Sequence, residues 1–160
     1  MEILLKLEKE FYDNMPVLRS AGIIFFRNTP EGRKYLILRA SRKDNRPEFW
    51  DIPKGELDKG ESGIGAAKRE AREEAGIENF ELIPKFKETV QYFTRHDRKS
   101  IMKFVAIFLA KASKDKVTLS QEHDAFEWAT FKEAMKKLTT MKEALKKADE
   151  FFSRLKEKAI

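Results

Sequence analysis

Residues 55–77, GELDKGESGIGAAKREAREEAGI, leave this chain few ways to fold. From Ser62 to Ala75 the pattern is helical. Ala66, Ala67, Ala71 and Ala75 recur at helical spacing, and Gly76 suits the left-handed position just past a helix end. Glu70, Glu73 and Glu74 stand at i, i+3 and i+4, so at about 100° per residue they share one face within an arc of roughly 100°. Three like charges at that spacing destabilise a helix unless cations neutralise them. Hard carboxylate oxygens suit Mg2+ or Mn2+, which would bridge the carboxylates to a phosphate. Arg69 precedes Glu73 by four residues and adjoins Glu70, where it can orient one of them. Ahead of the helix, Lys54, Gly55 and Gly60 make a loop whose backbone can approach an anion closely. The competing reading is a solvated acidic helix face, which is what most charge runs on helices are.

The flanking pattern suggests what this helix packs against. Residues 19–27 and 34–40 are β-rich and joined by turn chemistry through Asn28-Thr29-Pro30-Glu31-Gly32, so they read as a hairpin. Residues 41–61 read mostly as loop. Further strands are expected at about 86–94 and 101–110, with a polar turn through His96-Asp97-Arg98-Lys99, and a short one at 126–130. In the C-terminal region Met141, Leu145, Ala148, Phe152 and Leu155 alternate spacings of four and three, giving one apolar stripe. Ile3, Leu4, Leu7 and Phe11 fall near helical spacing, which suggests a short amphipathic helix or extension against the domain. Strands and helices in this order predict an α+β sandwich of the α/β/α kind. At 160 residues there is room for a single domain spanning 1–160, with residues 1–15 as an N-terminal extension.

Composition excludes several chemistries. Cysteine is absent, which removes a disulfide framework, Cys-ligated zinc, an iron–sulfur cluster and a thiol nucleophile. Thirteen Phe mark a globular chain. No stretch reads as a signal peptide or membrane span, so the expected address is the cytoplasm, with no membrane association and a monomeric state. His96 and His123 lack zinc-ligand spacing, so neither is a metal candidate. The formal charge of +6 suggests polyanionic partners, although a chain dense in Lys and Glu also fits a thermostable surface. Its distribution says more. Residues 55–77 hold six acidic and four basic residues, whereas 85–103 hold six basic and two acidic. A carboxylate cluster is followed by a basic strand pair suited to phosphate.

The full spacing is Gly55, five residues, Glu61, seven residues, Arg69-Glu70-Ala71, one residue, Glu73-Glu74, one residue, Gly76-Ile77. It matches every fixed position of the Nudix box, and the chain is identified by it as resembling the Nudix hydrolases. That resemblance implies a mixed β-sheet between helices, with the box forming a loop–helix–loop, and hydrolysis of substrates in which a nucleoside diphosphate is linked to another group. It implies that Glu73 and Glu74 hold divalent metal, with Glu70 as a further ligand or the base. Arg69 would orient a glutamate, Glu61 would support the loop, and the Gly55 carbonyl is a further metal ligand.

Outside the box the resemblance extends over about residues 17–155. Trp50-Asp51-Ile52-Pro53-Lys54-Gly55 and Leu119-Ser120-Gln121-Glu122-His123-Asp124-Ala125-Phe126-Glu127-Trp128 are similar to segments of the asymmetric diadenosine tetraphosphate hydrolases. Tyr92, Arg95 and Lys99 sit where that group has a Tyr and basic residues facing the polyphosphate. This implies cleavage of diadenosine tetraphosphate to ATP and AMP, with Lys54, Tyr92, Arg95 and Lys99 binding substrate and Glu122 as a remote ligand or base. Physically, Tyr92 can stack on a nucleotide or simply pack in a half-buried strand. Arg95, Arg98, Lys99 and Lys103 can hold distal phosphates, or solubilise a hairpin. Trp50 and Trp128 read as structural. The loop Arg42-Lys43-Asp44-Asn45-Arg46-Pro47 is unusually basic for that group. Three other readings use the same box. Two are enzymes, one that removes pyrophosphate from an RNA 5′ end and one that sanitises nucleotides. The third is a non-catalytic nucleotide-sensing module, against which the intact carboxylates argue.

Overall fold

The computed structural model describes residues 1–14, 16–42 and 44–158, without the side chains of Tyr12, Asp13, His96, Glu157 and Lys158. Lys43, within the basic loop, therefore lies outside the described residues. In chain order the elements are α1 (Glu2–Asp13), β1 (Val17–Thr29), β2 (Gly32–Ala40), β3 (Trp50–Asp51), β4 (Lys54–Glu56), α2 (Gly63–Ala75), β5 (Phe80–Leu82), β6 (Glu88–His96), β7 (Lys99–Ala112), β8 (His123–Ala129), α3 (Phe131–Lys137) and α4 (Lys142–Lys158).

The strands form one mixed sheet. β1 runs parallel to β7 from Val17↔Met102 to Phe26↔Lys111 and antiparallel to β2 near their shared turn. Side-chain alternation splits the long central strands between two apolar layers. Ile24 and Phe26, with Tyr35, Ile37, Val105, Ile107 and Leu109, face α3 and α4. Ile23, Phe25, Leu36 and Leu38 face α2, whose Ala66, Ala67, Ala71 and Ala75 are fully buried. Each large apolar side chain so buried contributes about 1.5–3 kcal/mol. Four alanines on the inner face also let α2 lie close against the sheet. The expected α/β/α sandwich is what the chain adopts.

One local departure from regular pairing creates the site. β1 pairs with β2 only over Phe26–Thr29, and farther back it takes β4 as its neighbour, Gly22↔Lys54 and Ser20↔Glu56. β2 meanwhile pairs with β3, Leu38↔Asp51. The sheet therefore splits, and Trp50–Glu56 crosses the split. Pro53 O accepts from Ile23 N at 3.2 Å, which pins the crossing segment from below. The break between α3 and α4 pins its start: Trp50 N donates to Thr139 Oγ1 at 3.0 Å and Thr139 N to Trp50 O at 2.9 Å.

Several differences from the sequence expectations have simple causes. Residues 41–61 contain β3 and β4, too short to show any periodicity. The C-terminal stripe belongs to α4, and a capping box of Thr130 and Glu133 starts a separate α3. The β6–β7 turn is carried by Asp97 and Arg98, with φ of 48° and 65°, matching the right-handed twist of its strands. α1 is helical, but Ile3, Leu4, Leu7 and Phe11 stay 56–75% exposed and do not pack into the domain core. No helix among the described residues is long and apolar enough to cross a membrane.

Candidate active site

Ser62 starts α2, its hydroxyl accepting from Gly65 N at 3.0 Å, and Gly76 ends it at φ 66°. The helix projects Arg69, Glu70, Glu73 and Glu74 towards the sheet split. Arg69 organises this end. Its guanidinium grips Glu61 with two bonds of 3.0 Å, and Nη2 also reaches Glu56 O at 2.8 Å. Nη1 donates to both Glu70 (2.8 Å) and Glu73 (3.1 Å). One fixed fork thus locks the preceding loop and two box carboxylates. The bond to Glu61 comes first in holding the Arg69 pKa well above its ordinary value, and the same bond pulls the Glu61 carboxyl down.

Glu70 lies directly beneath Gly55. A methyl group at Gly55 would come within 2.2 Å of its carboxylate, so only glycine fits over it. Glu74 is different in kind. It is 7% exposed, and Oε2 accepts from Lys54 N at 3.1 Å. Burial, only partly offset by that bond, pushes its carboxyl up to about 8, with Glu70, Asp51 and Glu122 adding to the rise. A carboxyl raised this far holds its proton at neutral pH until a cation competes for it.

Do these residues suit a divalent cation? The donors are hard carboxylate oxygens, and Gly55 leaves its backbone open to Glu70. The carboxylates are engaged by protein donors here, and no three of them converge as a ligand set among the described residues. Even so, the donor chemistry and the burial of Glu74, only partly offset by the Lys54 N–H, fit a hard divalent cation.

Linkage makes this testable. Because the Glu74 carboxyl lies above its usual 4.5, its contribution to stability is complete below that value and is lost as pH rises towards about 8. In chelator, the melting temperature is expected to fall between about pH 5 and 8. Glu74→Gln should flatten that slope, and excess Mg2+ should reverse it. A slope unaffected by Glu74→Gln would remove Glu74 as its source.

Of the other expected residues, Lys54 faces into the split but is already paired, its Nζ 2.8 Å from Asp51 Oδ2. Tyr92 is half-buried against the α4-side layer and stands opposite Lys103 in the β6–β7 pairing. Lys103 shares that face, and burial followed by repulsion from Lys54 lowers its pKa. Lys99 lies on the same face, four residues and about 13 Å farther along the strand. Arg95 alternates onto the opposite face from Tyr92 and Lys103 and is exposed, so the structure does not bring it beside them. Glu122 is exposed immediately before β8, where its carbonyl accepts from Ser41 N at 2.8 Å and its charge is felt at Glu74. His123 is half-buried, its pKa lowered by burial, with Nδ1 unpartnered among the described residues. The side chain of His96 lies outside the described residues. Trp50 and Trp128 each spend their indole N–H inside the protein, on Glu48 (3.1 Å) and Asp115 O (2.8 Å).

Two residues escaped the sequence reading. Asp51 is a buried carboxylate bonded to Lys54, and Gly22 makes room for it, since a methyl there would sit 2.6 Å from Lys54 Cβ. An acidic residue amid Trp50, Ile52 and Pro53 was the available signal for the first.

The NUDIX domain family model matches residues 16–152. The chain is 33% identical over 144 residues to the asymmetrical bis(5′-nucleosyl)-tetraphosphatase of Mus musculus, covering 84% of this chain and 95% of that one. It is 30% identical over 144 residues to an RNA pyrophosphohydrolase of Nitratiruptor sp., covering 84% and 91%. Among solved structures, a binary complex of C. elegans Ap4A hydrolase superposes with a TM-score of 0.74 at 33% identity, covering 85% of this chain and 98% of that one.

Proposed function

The chain belongs to the Nudix family of hydrolases, and from that premise we propose that it hydrolyses dinucleoside polyphosphates, splitting diadenosine tetraphosphate and water into ATP and AMP with Mg2+ or Mn2+ at the α2 carboxylates. The observation that carries this reading is the intact set of box acids, with Glu61, Glu70 and Glu73 gathered around the Arg69 guanidinium and Glu74 held by the Lys54 N–H. Likeness to the tetraphosphatases over 84% of the chain supports the choice of substrate.

A bound divalent cation supplies neutralisation of phosphoanhydride oxygens and lowers the pKa of water. The chain's own residues do the positioning. Glu73 and Glu74 serve as cation ligands, with the Gly55 carbonyl beside them and Glu70 as a further ligand or the base. Arg69 keeps Glu70 and Glu73 from splaying apart, and the Lys54 N–H keeps Glu74 oriented. Glu122 contributes a remote carboxylate. Across the split, Tyr92 and Lys103 receive the nucleotide and its phosphates, because Lys103 carries a half-buried ammonium with no ion pair among the described residues. Lys99 is placed for a more distal phosphate. Arg95, on the opposite face of the hairpin from Tyr92 and Lys103, is not assigned to the phosphates those two hold.

Likeness to the Nitratiruptor enzyme favours a second reading, pyrophosphate removal from triphosphorylated RNA. Chromatography of products from each substrate with Mg2+ separates the two. ATP plus AMP from diadenosine tetraphosphate is the expected result. Two ADP, or turnover of the RNA alone, would sink the tetraphosphatase reading.

A further inference from the structure

Asp51 lies on β3, where the sheet splits, with a side chain only 10% exposed. Oδ1 accepts from Ile52 N at 2.8 Å, and Oδ2 meets Lys54 Nζ at 2.8 Å. Lys54, in turn, presents its backbone N–H to Glu74 at 3.1 Å and is wedged over Gly22. One residue thus carries an ammonium into the site and also steadies a buried carboxylate of α2. Replacing a buried ion pair with apolar residues is often neutral or stabilising, so such a pair is poorly explained by stability alone. Its position suggests another reason. An ammonium beside Glu74 with no counter-charge would repel a divalent cation arriving there, and it would be free to swing towards substrate phosphate.

We infer that Asp51 is a positioning residue: it clamps and neutralises Lys54, so that a divalent cation at Glu74 meets an oriented carboxylate and no uncompensated positive charge. This inference rests on the reading of Glu70, Glu73 and Glu74 as cation ligands. It also reassigns Lys54 from free phosphate ligand to one half of a neutral pair, which leaves phosphate to Lys103 and Lys99.

The test is Mn2+ binding to the full chain without substrate, followed by electron paramagnetic resonance of free Mn2+. Asp51→Asn keeps the shape and the acceptor for Ile52 N but removes the charge. It should weaken Mn2+ binding by about tenfold, the usual scale for outer partners of metal ligands. The pair Asp51→Asn with Lys54→Met removes both charges and should recover most of that loss. Steady-state kinetics should agree, with the Mg2+ needed for half-maximal turnover rising in the single variant and falling back in the double. A folded Asp51→Asn with wild-type Mn2+ affinity would overturn the inference, as would a double variant as weak as the single. If Asp51→Asn does not fold, Lys54→Met alone decides: affinity at or above wild type supports neutralisation, and weaker binding refutes it. Failure of the unaltered protein to bind Mn2+ at all would instead overturn the cation-ligand reading itself.

Discussion

Glu73→Gln is expected to reduce turnover of diadenosine tetraphosphate at least about a thousandfold while leaving the melting temperature nearly unchanged. A metal site contributes several kcal/mol of charge stabilisation in the transition state, and about 4 kcal/mol corresponds to roughly three orders of magnitude. The mild effect on stability follows from where Glu73 sits. Its side chain is 52% exposed and makes one 3.1 Å ion pair with Arg69, which stays bound to Glu61 and Glu70. An exposed pair of that kind is worth about 0–1 kcal/mol. Glu74 offers no such clean experiment, because it is buried and bonded to Lys54. Steady-state kinetics beside a thermal melt is the measurement, and full activity in a folded Glu73→Gln protein would remove Glu73 from the ligand set.

Gly55→Ala is expected to be nearly as damaging for a different reason. Its new methyl would lie 2.2 Å from the Glu70 carboxylate carbon, so either Glu70 or the crossing segment must move. Overpacking of this kind costs about 1–3 kcal/mol of stability. A displacement of about 1 Å at a reacting centre can cost a hundredfold in rate. Gly63→Ala is the control, since its methyl would meet nothing closer than 3.8 Å. Comparing kcat for the two variants isolates the close approach over Glu70. A Gly55→Ala enzyme as active as the Gly63→Ala enzyme would show that this contact is dispensable.

Much of α2 was legible in advance because its signals are local. Alanine spacing, Ser62 at one end and Gly76 at the other depend only on residues a turn or two apart, and the structure has the helix with those caps. The same holds for the shared face of Glu70, Glu73 and Glu74 and for the reach of Arg69. β-rich runs and the turn chemistry between them similarly placed most of β1, β2 and β7, although they could not say that β1 would run parallel to β7. Arg95 and Lys103 show the limit. Both read as basic residues on one hairpin, and only the pairing Tyr92↔Lys103 puts Lys103 beside Tyr92 and Arg95 on the reverse side.

By itself, then, the sequence determined the family, the helix that bears the carboxylates and the two-layered covering of the sheet. Each of these rests on short-range periodicity or on a fixed spacing along the chain. Tertiary structure alone decided which groups are buried and which are partnered. The split between β1 and β2 brings Trp50–Glu56 over the end of α2, buries Glu74 and gives Lys54 to Asp51. No local pattern encodes these outcomes. Burial and electrostatic partnership depend on residues such as Gly22, Asp51 and Glu74, which meet only when β1, β3 and α2 converge from distant parts of the chain.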